Sequence, residues 1–274
     1  MKLALLVTSL DNIGDEIQSF AVSQHIAQEN FILLDRDFLN SYKGDKCAVV
    51  MNGWFSHQPR NFPPSEKITP IFFGFHISHK CIETYKKFKS YFIEHQPIGC
   101  RDQATADLLE SWGINSYLSG CATMTFPNRI KKITQDKNIL IDVDKKFFRK
   151  NEKNIFLSTS HKSSINFINF DLKMKIAENV VNFYRDNAQR VVTSRIHCAM
   201  PCFSMGIPTI YTGIIEPRTD ILNMIDIPKI SLNRFFKSSL EDLPFRLPAF
   251  EDLKARITLD LKEKLNQKGI QVKS

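Results

Sequence analysis

The stretch "VVTSRIHCAM", residues 191–200, sets Arg195 and His197 two positions apart, between the β-branched pair Val191–Val192 and a run of small residues. A guanidinium can grip a carboxylate or phosphate with two parallel hydrogen bonds. An imidazole titrates near neutral pH and can give or take a proton. The local pattern predicts a strand through Val191 and Val192, Ser194 as an N-cap-like residue, and a helix that tolerates Pro201 early and stops at Gly206. In parallel α/β sheets that strand-to-helix turn is where ligands bind, because the helix offers unpaired N–H groups and a positive dipole end. On spacing alone a surface arginine and a helix-capping histidine remain an open alternative.

Three further stretches hold chemically capable side chains. "PIGCRDQATADLLESWGI" places Arg101 between a short apolar strand and a helix, where it either holds an anion or pairs with Asp102 or Asp107 at the surface. "SLDNIGDEIQ" offers Asn12, Gly14 and Asp15 after the first strand. Gly14 would permit close backbone approach, and Asp15 is either a base or sugar-hydroxyl ligand, or an N-cap. "MNGWFSHQPRNFPPSEK" supplies Trp54, Phe55 and His57, which either stack on a sugar or belong to a loop packed on itself. Arg218 in "EPRTD" would contact a phosphate or sugar, or cap the next helix. His76 and His79 lack the further ligands that metal spacing demands, so no metal site is expected.

The elements that must carry these residues alternate short apolar runs with stretches of helical periodicity, the signature of an α/β protein with mainly parallel sheets. Strands are expected at 2–9, 31–34, from 47, from 70, from 97 and from 116, with helices over 79–94 and 102–112. After a Lys-rich connection near 127–137, a second series follows: "NILIDV", "NIFLSTS", "RVVTS", "PTIY" and "KISL", with helices at 171–187 and 197–205. This predicts two Rossmann-like domains, 1–125 and 126–274. An amphipathic helix over 249–268 is expected to pack on the protein itself rather than on a membrane.

Composition bounds the rest. A 43% hydrophobic content with 24% charged residues is that of a folded globular chain, not a disordered one. Thirty-seven basic against 29 acidic residues leave +8, which favours anionic partners, but the cations are scattered and form no basic arm, so nucleic acid is not expected. The six cysteines lack C-x-x-C spacing and fit a reducing compartment. With no signal-peptide pattern and no long apolar span, a cytoplasmic protein is expected.

Taken in order, "DNIGDEIQSFA", "GCRDQATADLLESWGI" with "LSGCATMTF", and "VVTSRIHCAMPCFSMGIPTIY" resemble the three signature regions of the polysaccharide pyruvyltransferase family, over most of residues 1–225. The resemblance implies a two-domain architecture like that of GT-B glycosyltransferases, with phosphoenolpyruvate and an acceptor sugar meeting in the interdomain cleft. It implies a ketal-forming transferase for a bacterial surface polysaccharide such as a capsule or exopolysaccharide, or for its lipid-linked precursor, working in the cytoplasm with at most peripheral contact to the membrane's inner face. Phosphoenolpyruvate is then the donor substrate, and no cofactor is called for. Carried across position by position, Arg101, Arg195, Ile196 and His197 bind phosphoenolpyruvate, His197 is the acid/base, and Asp15 is a second catalytic candidate near the acceptor. Asn12, Gly14, Trp54, His57 and Arg218 are the candidates for holding the acceptor. The rival expectations are a nucleotide-sugar glycosyltransferase of the same architecture and a binding protein that has lost catalysis. The short second half leaves the acceptor's identity open.

Overall fold

A computed structural model describes residues 1–130, 137–148, 153–160, 169–231, 233 and 239–273, with the backbone alone at Pro217 and Arg218. The chain forms the expected α/β architecture, and every strand pair among the described residues is parallel. Parallel strands require crossovers, and helices or 3-10 turns supply them.

In the first half, β1 (Lys2–Val7) pairs with β2 (Ile32–Asp35) and β3 (Cys47–Val50). "KLALLV" is buried at five of its six positions, the unbroken apolar run of a strand covered on both faces. Helix α1 (Gly14–Ser23) makes the first crossover. The runs expected as single strands from 47 and from 70 are each broken in two, giving β3 and β4 (Gly53–Trp54), then β5 (Ile68–Ile71) and β6 (Phe75–His76). The break is local in origin. Gly74 takes φ +71, and a Cβ there would overlap the Asn52 amide oxygen that fills the bend. Backbone bonds cross the break, from Met51 N–H to Ile71 O (2.8 Å) and from Gly53 N–H to Gly74 O (3.2 Å). The two four-stranded sheets, β2-β1-β3-β5 and β4-β6-β7-β8, are therefore two segments of one bent layer. The second segment continues through β7 (Ile98–Cys100) to β8 (Ser116–Leu118) at its edge.

The helix expected over 79–94 is also split, into α2 (Ile82–Lys86) and α3 (Lys89–Glu94). Between them Phe88 leaves helical geometry and packs edge-on against Phe62 at 5.4 Å, where an aromatic cluster including Phe72, Phe75, Tyr85 and Phe92 fills this part of the core. Helix α4 (Gln103–Ser111) begins on Asp102, whose carboxylate accepts the Thr105 N–H at 2.9 Å.

The third sheet has the order β10-β9-β11-β12, from β9 (Lys137–Ile141), β10 (Asn154–Leu157), β11 (Ala188–Thr193) and β12 (Thr209–Tyr211). Helices α5 (Phe170–Asn187) and α6 (Ile196–Ser204) cover it, and Gly206 at φ +78 ends the α6 stretch as expected. "KISL" at 229–232 is not a strand. Lys229 makes one bridge to Tyr211, and Leu232 lies outside the described residues, as does most of the Lys-rich connection. Helix α7 (Glu251–Gln267) buries Ile257, Leu261 and Leu265 against the first half, and its Asp260 accepts the Tyr117 hydroxyl at 2.6 Å. One core cluster joins β1 and α1 to β9, β11, α5, α6 and α7, so both halves fix the positions of the strand ends between them. Among the described residues, no helix is long and apolar enough to cross a membrane.

Candidate active site

Four strand-end turns converge on a cleft of about 160 Å³. Asn12, Gly14 and Asp15 enter from the turn after β1, Trp54 from β4, Arg101 from the end of β7, and Arg195, Ile196 and His197 from the start of α6. Eight of the ten residues singled out from the sequence thus line one space.

The α1 turn is shaped to receive His197. Asn12 Oδ1 accepts the Gly14 N–H at 2.9 Å, an Asx turn that presents the glycine outward. A Cβ on Gly14 would stand 2.6 Å from His197 Nδ1, so the glycine is what lets the imidazole sit against the turn. Beneath it, Lys173 of α5 pairs with Glu16 at 2.9 Å and donates to the Leu10 carbonyl at 2.9 Å and to the Thr8 carbonyl. Both charged groups are buried, and burial pushes the Glu16 carboxyl above its usual range although Lys173 pulls it down. This buried pair ties α1 to α5 and fixes the first turn between them.

Asp15 faces the cleft with its carboxylate held by Arg36 at 2.7 Å. Arg36 is buried and also pairs with Asp37, whose other oxygen lies 2.6 Å from His57 Nδ1. Burial opposes the guanidinium's charge, but Asp15 and Asp37 outweigh it and raise its pKa above the ordinary value. His57 therefore does not reach the cleft. It ends a chain of charges that leads to Asp15, because its loop folds back over Asp37, and its neighbour Phe55 is buried on Phe75 at 5.2 Å. The side chain of Arg218 lies outside the described residues.

Arg101 is 2% exposed, and among the described residues its Nε has no hydrogen-bond partner and its guanidinium no ion pair. It is not the surface partner of Asp102 or Asp107 that the sequence allowed. Asp102 turns to His76 Nδ1 at 2.5 Å, and Gln103 takes Asp107 at 2.6 Å. Burial acts to raise the Asp102 pKa, but the bond from His76 and the charge of Arg101 hold it below its usual value. The charge of Asp102 answers Arg101 without contact, and a buried cation gains further from a direct partner. The cleft is where that partner would sit.

Arg195 is built differently. It stands at the N-cap position of α6 without a side-chain cap, which leaves the leading N–H groups of the helix, at Ile196 and His197, without a side-chain acceptor from the cap. Ser194, expected as the cap, instead donates its hydroxyl to the Asp142 carbonyl at 2.7 Å. Arg195 Nε donates to Asp142 Oδ2 at 2.8 Å, with the arginine side chain 41% exposed. Asp142, at φ +51 after β9, also accepts from Ser158 (2.5 Å) and from the Thr159 hydroxyl (2.7 Å). Burial raises its pKa, and these donors more than reverse the effect, leaving it lowered.

Asp142, Arg36, Glu16 and Lys173 were not foreseen. The one sequence signal was an aspartate at a strand's carboxyl end, in "ILID" and "LLDRD". Such an aspartate caps turns as often as it serves a site.

The fold is that of a parallel α/β protein, and its strand-end cleft joins two arginines, a helix N-terminus and a histidine. The model of the polysaccharide pyruvyl transferase family matches residues 12–214, and the chain belongs to that family. It is accordingly a transferase of polysaccharide biosynthesis. No curated protein matches it. Among solved structures, a functionally uncharacterized Klebsiella pneumoniae protein is 14% identical, with 86% of this chain and 91% of that one covered and a TM-score of 0.46. The accessory secretory proteins 1, 2 and 3 of Streptococcus pneumoniae give 12% identity, 84% and 52% coverage, and a TM-score of 0.38.

Proposed function

We propose that this protein transfers the enolpyruvyl unit of phosphoenolpyruvate to two hydroxyls of one sugar, forming a pyruvate ketal and releasing phosphate. The observation that carries this reading is the convergence of Arg101, Arg195 and the α6 N-terminus on the cleft that also holds His197 and Asp15. Phosphoenolpyruvate has a carboxylate at one end and a phosphate at the other, and two cations from separate strand ends can hold both. The acceptor class is a bacterial surface polysaccharide or its lipid-linked precursor, met at the cytoplasmic side of the membrane. No cofactor is needed.

Protonated His197 donates its proton to the methylene carbon, which becomes the methyl group and leaves positive charge at C2. One acceptor hydroxyl, oriented by Asp15, bonds to C2 and gives up its proton to the now neutral imidazole. The C2–O bond to phosphate breaks with its electron pair on phosphate. The second hydroxyl then closes the ring, and its proton leaves with the phosphate. Arg36 keeps the Asp15 carboxylate in place by its 2.7 Å pair.

The test is phosphate release from phosphoenolpyruvate over a panel of lipid-diphosphate oligosaccharides and simple glycosides, with mass spectrometry for the ketal. His197→Ala should keep donor binding and lose turnover. Turnover of a nucleotide sugar to free nucleotide, with phosphoenolpyruvate unbound, would replace this reading with a glycosyltransferase. Donor binding in the folded protein unaffected by substitution of both arginines would end the donor-site assignment.

A further inference from the structure

Beside Arg101 stands a buried pair whose net charge can change. Strand β6 pairs with β4 at His76 and Trp54 and with β7 at Phe75 and Cys100, and the Arg101 N–H bonds to the Phe75 carbonyl at 2.9 Å. His76 and Arg101 are therefore the next residues along on neighbouring strands. Arg101 lines the first cleft, while His76 and Asp102 line a second one, of about 350 Å³, that shares Trp54 with it.

His76 Nδ1 lies 2.5 Å from Asp102 Oδ2, and the other carboxylate oxygen accepts both the N–H and the hydroxyl of Thr105 at 2.9 Å. Both oxygens are thus engaged, and neither bonds to Arg101. His76 is 4% exposed and Asp102 1%, so water screens their charges poorly. Asp102 stays ionised at neutral pH, because His76 and Arg101 outweigh the effect of its burial. Of the pair, only the imidazole is of a type that titrates near neutral pH. A carboxylate can only accept, so Nδ1 carries a proton in both states of His76. The geometry is then the same in both, and the charge is not. With His76 protonated the pair is neutral as a whole. With His76 neutral, the Asp102 carboxylate attracts Arg101 and repels an anion bound to it.

The other charged groups around the pair are weaker rivals for that role. His79 and Lys80, after β6, are exposed and screened by water, and the Glu216 side chain accepts the Thr219 N–H. Burial pushes the Cys100 thiol up, which keeps it uncharged. Asp15, Arg195 and His197 face Arg101 across the first cleft.

We propose that His76 is a positioning residue that acts on the donor through Asp102 and Arg101: protonated, it cancels the Asp102 carboxylate and leaves the Arg101 charge to the anion, and neutral, it lets Asp102 hold that charge back. Donor affinity then falls as pH rises through the His76 titration. This rests on the reading of the first cleft as the phosphoenolpyruvate site.

His76→Asn puts an amide N–H in the place of Nδ1–H, keeping the bond to Asp102 without a titrating group. Calorimetry with phosphoenolpyruvate should find parent and variant alike at about pH 8.5, and the parent about fivefold tighter at about pH 5.5. His79, His197 and the donor's phosphate titrate in both proteins, so the ratio of affinities isolates His76. A ratio constant with pH would show a merely structural role and overturn the proposal. Imidazole NMR on the unsubstituted protein reads the reciprocal effect, in which saturating phosphoenolpyruvate raises the titration midpoint of His76. A midpoint unmoved while the donor binds would also overturn it, whether or not the asparagine variant folds. Without any donor, Arg101→Met should raise the same midpoint, and no change there would show that His76 and Arg101 are uncoupled. Failure of the folded parent to bind phosphoenolpyruvate at any pH would instead overturn the donor reading, and with it the role given to His76, even where the Arg101→Met shift is seen.

Discussion

Arg101 and Arg195 occupy matching places, each just after a strand and before a helix, yet their surroundings are opposite. Arg101 is buried, and among the described residues it has no ion pair, while Arg195 is 41% exposed on its side chain and pairs with Asp142 at 2.8 Å. The first is a buried charge with no ion pair in contact, so a bound anion would gain a large interaction in a poorly solvated setting. The second is screened by water and shares its charge with a carboxylate, so it adds less on binding. On the proposed donor reading, Arg101 would carry the larger part of donor affinity and Arg195 would orient the anion over α6.

The largest expected effect is therefore at Arg101. Arg101→Met should weaken phosphoenolpyruvate binding by about 2–4 kcal/mol, the cost of removing a partner from a desolvated charge pair. It should also raise the thermal midpoint, because an unpaired buried charge is gone. A calorimetric titration beside a melting curve reads both, and unchanged affinity would erase the contrast between the arginines. Gly14→Ala comes next. Its methyl group would lie 2.6 Å from His197 Nδ1, and a displaced imidazole should cost about 100-fold in turnover with little loss of donor affinity. Turnover within twofold of the parent would show that the close approach is not used.

Arg195→Ala should weaken the donor by about tenfold, less than the change at Arg101, since exposure discounts its charge. A loss equal to that at Arg101 would reverse the assignment. Asp142 and Asp102 supply a pH signature. Both have native pKa values below the ordinary 3.8, so the unfolded chain binds protons more readily than the native one. Their stabilisation is complete above about pH 5 and disappears as pH falls through the native values. The urea midpoint should fall on acidification below pH 4, and Asp142→Asn, costing about 1–2 kcal/mol at pH 7, should flatten part of that slope. A slope identical to the parent's would exclude Asp142 as its source. The smallest effect is expected at His57, where substitution by alanine removes a half-exposed partner of Asp37 and should shift stability by about 0.5 kcal/mol or less, with donor affinity unchanged.

Much of this site was legible in the chain because its chemistry is written in short stretches. "SRIHCAM" after two valines, "GCRDQ" after a short strand and "DNIGDE" after "LALLV" each combine a strand end, a turn and a helix start within about ten residues. The elements themselves followed from the apolar periodicity, with α4, α5, α6 and α7 within two residues of expectation at either end. Where expectation and structure part, a long-range contact decided. Periodicity carried one helix through 79–94, but Phe88 turns out to reach Phe62. An apolar run from 70 was interrupted because Gly74 makes room for Asn52.

The sequence by itself determined the α/β class, the positions of Asp15, Arg101, Arg195 and His197 at strand ends, and the resemblance to a family that the chain indeed belongs to. Only the tertiary structure decided which charges answer one another. Asp142 lies 53 residues from Arg195, Lys173 lies well over 100 from Glu16, and Arg36 is separated from Asp15 by the rest of α1 and by β2. Pairing over such distances depends on how sheets and helices stack, and that is fixed by burial summed over whole faces, which no local pattern encodes. For the same reason the chain could present two arginines as equals, and only folding made one a buried, waiting cation and the other a partnered one.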